Sequence, residues 1–230
     1  MKTKPKTDQK QIISLVGSTT IVSDYFHYAL NTILFQRSIY DQNDFKMIKK
    51  FGLQMMLIED SNILDYLNKI NSQLKLWLLS GQLSKLVLVI QRKDNGETIE
   101  RWEFDVTIEE TETEDSSNQE PKEPKEPQEP KENQENPILK KSKPKSLTEI
   151  QSEIQQIIRQ IIASVSFLPI FEFPRTFKVL AYTHDLKDDL DEWKDSEAFD
   201  ITEGSERVKL KSFSTSLHKV DTAVNYKLSV

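Results

Sequence analysis

The chain has 230 residues, 37% of them apolar and 30% charged, enough for one core of ordinary size. It contains no cysteine, which excludes disulfides, thiol catalysis and cysteine-ligated metals. The formal charge of −6 is concentrated: residues 109–136 hold eleven acidic residues against three lysines, leaving the rest near +2, too little for a basic nucleic-acid binder.

The N-terminus begins Met1, Lys2, Thr3, Lys4, and no apolar run follows it. Residues 1–10 read as a loose basic tail, with no leader sequence and no segment of membrane-spanning length. A helix is expected from Ser18 to Gln36, where Ile21, Val22, Tyr25, Phe26, Ala29, Leu30, Ile33 and Leu34 form two adjacent apolar rows. Gly17 and Ser18 supply its break and N-cap. Asp41–Asn43 reads as a turn, and Phe45–Ile58 is ambiguous between helix and strand, divided at Gly52.

A second helix is expected over Ile63–Leu79, with Ile63, Leu67, Ile70, Leu74 and Trp77 on one stripe, Asp60 or Ser61 capping it and Gly81 after it. Ser84–Gln91 contains the run LVLVI, which suits a strand buried on both faces. Asp94, Asn95 and Gly96 are hairpin-turn chemistry. The return strand Thr98–Ile108 sets Trp102, Phe104, Val106 and Ile108 on one face.

Residues 109–145 change character. Their centre, PKEPKEPQEPKE, is rich in proline and nearly free of apolar residues, so it cannot offset its ordering entropy by burial. This stretch reads as a disordered acidic insertion within one domain spanning 11–230, without effect on folding. A third helix starts at Ser146, which forms a capping box with Glu149. From Phe167 onward the reading is strand: FLPIFEF, TFKVLAYT, a long pattern at Arg207–Val220 and a final alternation of Val224, Tyr226, Leu228 and Val230. An acidic loop carrying Trp193 lies between, at Asp185–Glu197. Three helices beside an antiparallel sheet make an α+β domain.

The sequence has no Walker loop, no HExxH and no G-x-S-x-G, and its three histidines, His27, His184 and His218, are scattered. No enzyme, metal or cofactor is expected. The carboxylates Asp188, Asp189, Asp191 and Glu192 read as a solvated loop rather than a catalytic pair. His27 reads as structural. His218 is either a hydrogen-bonded strand residue or part of an interaction strand. Trp193, a large aromatic in polar company, anchors its loop on its own domain or on a partner. Arg159 is either a solvated charge or an interface anchor.

The blocks ALNTILFQRSIY (29–40), KFGLQMM (50–56), YLNKINSQLKLWL (66–78), KLVLVI (85–90), ERWEFDV (100–106), EIQQIIRQIIASVSFLP (153–169), EWKDS (192–196) and RVKLKSFSTSLHKV (207–220) stand in this order along the chain. Together they resemble the HORMA family, and its spindle-checkpoint branch in particular. Only the N-terminal tail and the insertion fall outside the likeness. The resemblance implies a HORMA fold, with three main helices packed on an antiparallel sheet and a mobile C-terminal safety belt, roughly Thr183 to Val230. It implies a spindle assembly checkpoint adaptor that captures closure-motif peptides as an added strand and switches between open and closed states.

The partners so implied are closure motifs of a kinetochore-anchored checkpoint protein and of the activator of the anaphase-promoting complex, which it would inhibit. An antagonist adaptor and an AAA-family remodelling ATPase would act on it, without direct contact to nucleic acid or membrane. Carried over by match, Trp77, Phe177, Val179, Leu180, Tyr182, Trp193 and His218 would bind the closure peptide. Arg159, Gln160, Phe167 and, as a weaker match, Lys211 would form the surface for self-association and for the antagonist. The implied location is nucleus, kinetochore and cytoplasm. The alternative is a HORMA adaptor of translesion DNA synthesis or of the meiotic chromosome axis.

Overall fold

The computed structural model describes residues 13–109, 145–184, 193–201 and 203–228. The 1–10 tail, almost all of the 109–145 insertion and the acidic positions 185–192 lie outside them.

Helix α1 (Leu15–Gln36) is held at its start by the Ser14 side chain, which accepts the Gly17 N–H. The cap expected at Ser18 thus falls one turn earlier, and Ser18 is buried inside the helix. The ambiguous stretch resolves as a hairpin, β1 (Phe45–Lys50) and β2 (Leu53–Ile58), with Phe51 and Gly52 both at positive φ. Two consecutive left-handed residues make the turn that matches strand twist. A Cβ on Gly52 would lie 2.7 Å from the Gln155 side-chain nitrogen, so glycine serves both the turn and the close approach to the third helix. Helix α2 (Ser61–Leu79) is capped by Asp60, whose carboxylate takes the N–H groups of Asn62 and Ile63.

Strands β3 (Leu83–Arg92) and β4 (Thr98–Ile108) form the predicted hairpin. Helix α3 (Leu147–Ala163) opens with the expected capping box between Ser146 and Glu149. Residues 167–174 form no strand, contrary to expectation. Pro169 and Pro174 lack the N–H that a ladder needs, and the segment is tied down by arginines instead: Arg37 and Arg92 lie 4.1 and 4.0 Å above the Phe171 and Phe173 rings. Strand β5 (Arg175–Thr183) follows. The long strand read over Arg207–Val220 is two strands, β6 (Ser205–Ser214) and β7 (His218–Lys227), because Ser216 takes a left-handed φ of 74° and turns the chain.

β3, β4, β5, β6 and β7 make one antiparallel sheet in the order β5-β3-β4-β7-β6, and β1-β2 stands apart. Trp102 and Phe104 of β4 face the helices, with Phe104 in edge contact with Tyr25 and Phe26 of α1. Alternation turns Arg101, Glu103 and Asp105 to the opposite face. Ile150, Ile154, Ile157, Ile158 and Ile161 of α3 are fully buried, which closes the core.

Candidate functional site

Strand β5 ends the sheet on one side and meets no further strand among the described residues. Its backbone orientation follows from three bonds. The Pro174 carbonyl accepts the Lys93 N–H, the Tyr182 carbonyl accepts from Ser84, and the His184 N–H donates to the Gln82 carbonyl. Residues 174, 182 and 184 therefore point their backbone groups towards β3. Alternation turns those of Phe177, Val179 and Ala181 outward; the Val179 N–H is taken by the Tyr66 hydroxyl, and an added strand would find the groups of Phe177 and Ala181 and the Val179 carbonyl.

Side chains divide in the other sense. Phe177 and Val179 face the helices, and Phe177 sits edge-on to Tyr40 and Tyr66 at 6.1 and 5.8 Å. The Tyr66 hydroxyl takes the Val179 N–H; burial pushes its pKa up, and this bond works against the rise. Leu180 and Tyr182 face the opposite side, with Lys85 beneath the Tyr182 ring.

The segment 193–201 wraps this margin of the sheet. Trp193 is half-buried and packs against Trp77 at the end of α2, ring centroids 4.8 Å apart and nearly perpendicular. Trp193 thus anchors its loop on its own domain. Trp77 adjoins the end of β5, since its carbonyl accepts the Gln82 N–H and the Gln82 carbonyl accepts from His184. Six residues later the chain is on the other face: the Phe199 ring lies 4.0 Å from the Lys178 ammonium, and Asp200 pairs with Arg101. From there it reaches β6 at the far edge of the sheet. A segment held at both faces around a free sheet margin has the geometry of a belt over a β-augmentation site.

Six of the seven residues expected to line a peptide channel gather at this margin. His218 does not. It lies on β7, two strands from β5, paired with Ile108 and bonded through Nδ1 to the Ser18 hydroxyl at 2.6 Å. It joins the β6-β7 turn to α1, the hydrogen-bonded strand residue of the two readings. The second set lies around α3. Gln160 accepts the Lys211 N–H at 2.8 Å, Arg159 is exposed, and Phe167 is 44% exposed beside Tyr226.

Sequence reasoning missed Tyr40, Tyr66, Arg101, Lys178, Phe199 and Asp200. One signal pointed to the last four. A strand buried on both faces, as LVLVI was read, needs a cover on its far face, and Val87 and Val89 are fully buried there. The belt is on that face.

Residues 18–218 match the HORMA domain. The mitotic spindle assembly checkpoint protein MAD2A of Dictyostelium discoideum is 42% identical, over 96% of this chain and 96% of that protein. The MAD2A of Homo sapiens is 37% identical over the same shares, and the mitotic spindle checkpoint component MAD2 of Saccharomyces cerevisiae is 40% identical over 94% and 98%. A chain in a crystal structure of the mitotic checkpoint complex is similar at a TM-score of 0.73 and 37% identity, covering 93% of this chain and all (100%) of that one. C. elegans HTP-2 bound to an HTP-3 closure motif, at 15% identity and a TM-score of 0.69 over 94% of this chain and 88% of that one, shares the fold alone. The chain belongs to the HORMA-domain family and, within it, to the MAD2 spindle assembly checkpoint proteins.

Proposed function

We propose that the chain captures closure-motif peptides as a strand added to β5 and retains them beneath a belt that includes residues 193–201. The observation that supports this reading is a sheet edge that no further strand occupies among the described residues, beside a segment anchored on both sides of it, at Trp77 and at Arg101. Backbone groups of Phe177, Val179 and Ala181 would hold the peptide, and the faces formed by Phe177 and Val179 and by Leu180 and Tyr182 would select its side chains. The chain acts by binding and breaks no bond; it is an adaptor and not an enzyme, and it needs no cofactor.

In this reading the peptides belong to a kinetochore-anchored checkpoint protein and to the activator of the anaphase-promoting complex, whose capture delays anaphase. The pairing of β6-β7 with β4 is one of two states, and release requires this hairpin or the belt to leave its place. Arg159, Gln160, Phe167 and Lys211 form the surface for self-association and for an antagonist adaptor, and an AAA-family ATPase remodels the fold from the N-terminal tail. The chain works at the kinetochore, in the nucleus and in the cytoplasm, as one domain spanning 11–230 with the 109–145 insertion looped out. Identities of 36–42% to spindle checkpoint proteins favour this over a meiotic-axis or translesion role.

Fluorescence anisotropy with labelled closure-motif peptides from a checkpoint scaffold, an anaphase-promoting complex activator, a meiotic axis protein and a translesion polymerase tests it. Tight binding and release over minutes or longer, confined to the first two, is expected. Binding confined to the others would move the chain to another pathway, and binding of none would remove the adaptor reading.

A further inference from the structure

The belt is held at two points of different chemistry. At its start Trp193 meets Trp77 through aromatic surface. At its end the contact is ionic, and the two partners are placed unequally. Arg101 is 7% exposed at its side chain, whereas Asp200 is 66% exposed. The arginine belongs to the rigid middle of the sheet, between β3 and β7. The aspartate belongs to a segment without regular structure.

The surroundings make Arg101 dependent on that one carboxylate. Its neighbour Glu103 lies 3.7 Å away but is closer to Arg207, at 2.8 Å. Asp105, the next acid on the same face, pairs with Lys85 at 3.1 Å. Among the described residues the Arg101 Nε has no hydrogen-bond partner, and neither has the side-chain oxygen of Asn225, which pairs with Arg101 across the ladder. A buried guanidinium with a free N–H and a shared carboxylate is poorly compensated. Of the belt's charged residues Lys194, Asp195, Glu197 and Asp200, only Asp200 forms an ion pair among the described residues.

The backbone is shaped to deliver it. Phe199, immediately before, adopts a left-handed φ of 51°, a conformation that costs a non-glycine residue energy and persists only where contacts enforce it. The contact is the Lys178 ammonium against the Phe199 ring. Lys178 and Arg101 both pair with Val89, so they stand in one row across β5, β3 and β4. Phe199 and Asp200 thus dock on neighbouring cations of that row.

We propose that Asp200 on Arg101, seconded by Phe199 on Lys178, is the clasp of the belt, and that it sets the rate at which a captured peptide is released. This rests on the strand-addition reading above. Because Asp200 is exposed and lies outside the helix-side core, its loss opens the belt without unfolding the domain. Because Arg101 is buried, the opened state leaves a desolvated charge without its nearest anion, which favours reclosure. The Trp193 contact and the clasp flank β5, so either one opening alone leaves the peptide still held on the other side.

The test compares the full chain with Asp200→Asn and Asp200→Glu. A preformed complex with a fluorescein-labelled closure-motif peptide from an anaphase-promoting complex activator is chased with unlabelled peptide. Asp200→Asn is expected to release about tenfold faster, the scale of one charge-assisted hydrogen bond to a buried cation. Asp200→Glu should fall between, and thermal melting should be the same in all three. Equal release rates for wild type and Asp200→Asn would overturn the clasp. If wild type binds no peptide, the strand-addition reading fails, and the clasp is judged separately by hydrogen exchange of the peptide-free chain. Faster exchange of residues 199–201 in Asp200→Asn supports it, and unchanged exchange there overturns it.

Discussion

The two outer strands of the sheet differ in how they treat their edges. β6 is guarded. Its ladder with β7 breaks between Lys209 and Ser212, its exposed half carries Arg207 and Lys209, and its other half is covered by α3 through Gln160 and Lys211. Irregularity, charge and cover are the devices that keep an edge from pairing with a stranger. β5 is regular along its centre, where the one charge, Lys178, meets Phe199 of the belt and the Tyr66 hydroxyl takes the Val179 N–H. Its register against β3 is unbroken from Arg175 to Tyr182, and its outward groups lie beside Phe177, Val179 and Ala181. In the reading proposed above, this is the edge kept for use, and the belt would confine that use to one peptide at a time.

The largest effect is expected where β5 is braced. Glu100 is fully buried and accepts from Arg37 at 2.9 Å and from the Trp102 indole at 2.6 Å. Burial pushes its carboxyl pKa up, against the pull of Arg37. Arg37 in turn donates to the Pro169 carbonyl, and the Arg37 and Ser38 carbonyls accept from Arg175 at the head of β5. Glu100→Ala leaves a buried guanidinium alone, a loss of about 3–5 kcal/mol. Chemical denaturation should report it, with early exchange of the β5 amides. Replacing Arg37 and Glu100 together by apolar residues should cost less than the single change; an equal or greater cost would mean that the pair itself, and not the stranded charge, carries the stability.

A narrower cut is Ala181→Pro. The Ala181 N–H faces away from β3, so proline removes no ladder bond and is tolerated as edge prolines are. It removes one donor from the peptide's edge and puts a ring in the path. Peptide affinity should fall at least tenfold, about 1.4 kcal/mol, the upper part of the range for one hydrogen bond. A cooperative melt with undiminished affinity would show that the peptide does not use this edge.

Much of this was legible in the residues. Helical rows, the capping box at Ser146, the hairpin around Asn95 and Gly96 and the β5 strand are local signals, set by neighbours in sequence. The failures were tertiary or conformational. Residues 167–174 have strand composition, but their arginine partners come from α1 and β3. Ser216 turns the chain at a positive φ where glycine or asparagine would be the usual signal. His218 was drawn towards the peptide because it sits on the tail, yet sheet order places β3 and β4 between it and β5. The clasp was invisible because Asp200 looks like any loop acid until Arg101 is known to be buried.

The smallest effect concerns the guarded side. His218 holds the tip of the β6-β7 hairpin to α1. Nδ1 meets the Ser18 hydroxyl at 2.6 Å, the Leu78 carbonyl takes the opposite N–H, and Thr215 reaches Ser18 at 2.6 Å. With the ring neutral and Nε2 donating to Leu78, Ser18 donates to Nδ1. Burial lowers the folded pKa below 6.5, outweighing the Leu78 bond. Below pH 6.5 the unfolded chain therefore binds more protons than the folded one, so stability falls with falling pH until the folded ring is itself protonated. Denaturant midpoints from pH 7.5 down to 5.5 should show this slope in wild type and a shallower one in His218→Gln. Hydrogen exchange should place the loosening at β6-β7 before β5. If acid instead released β5 first, the two edges would share one cooperative unit, and the guarded strand would be no more fixed than the one kept open.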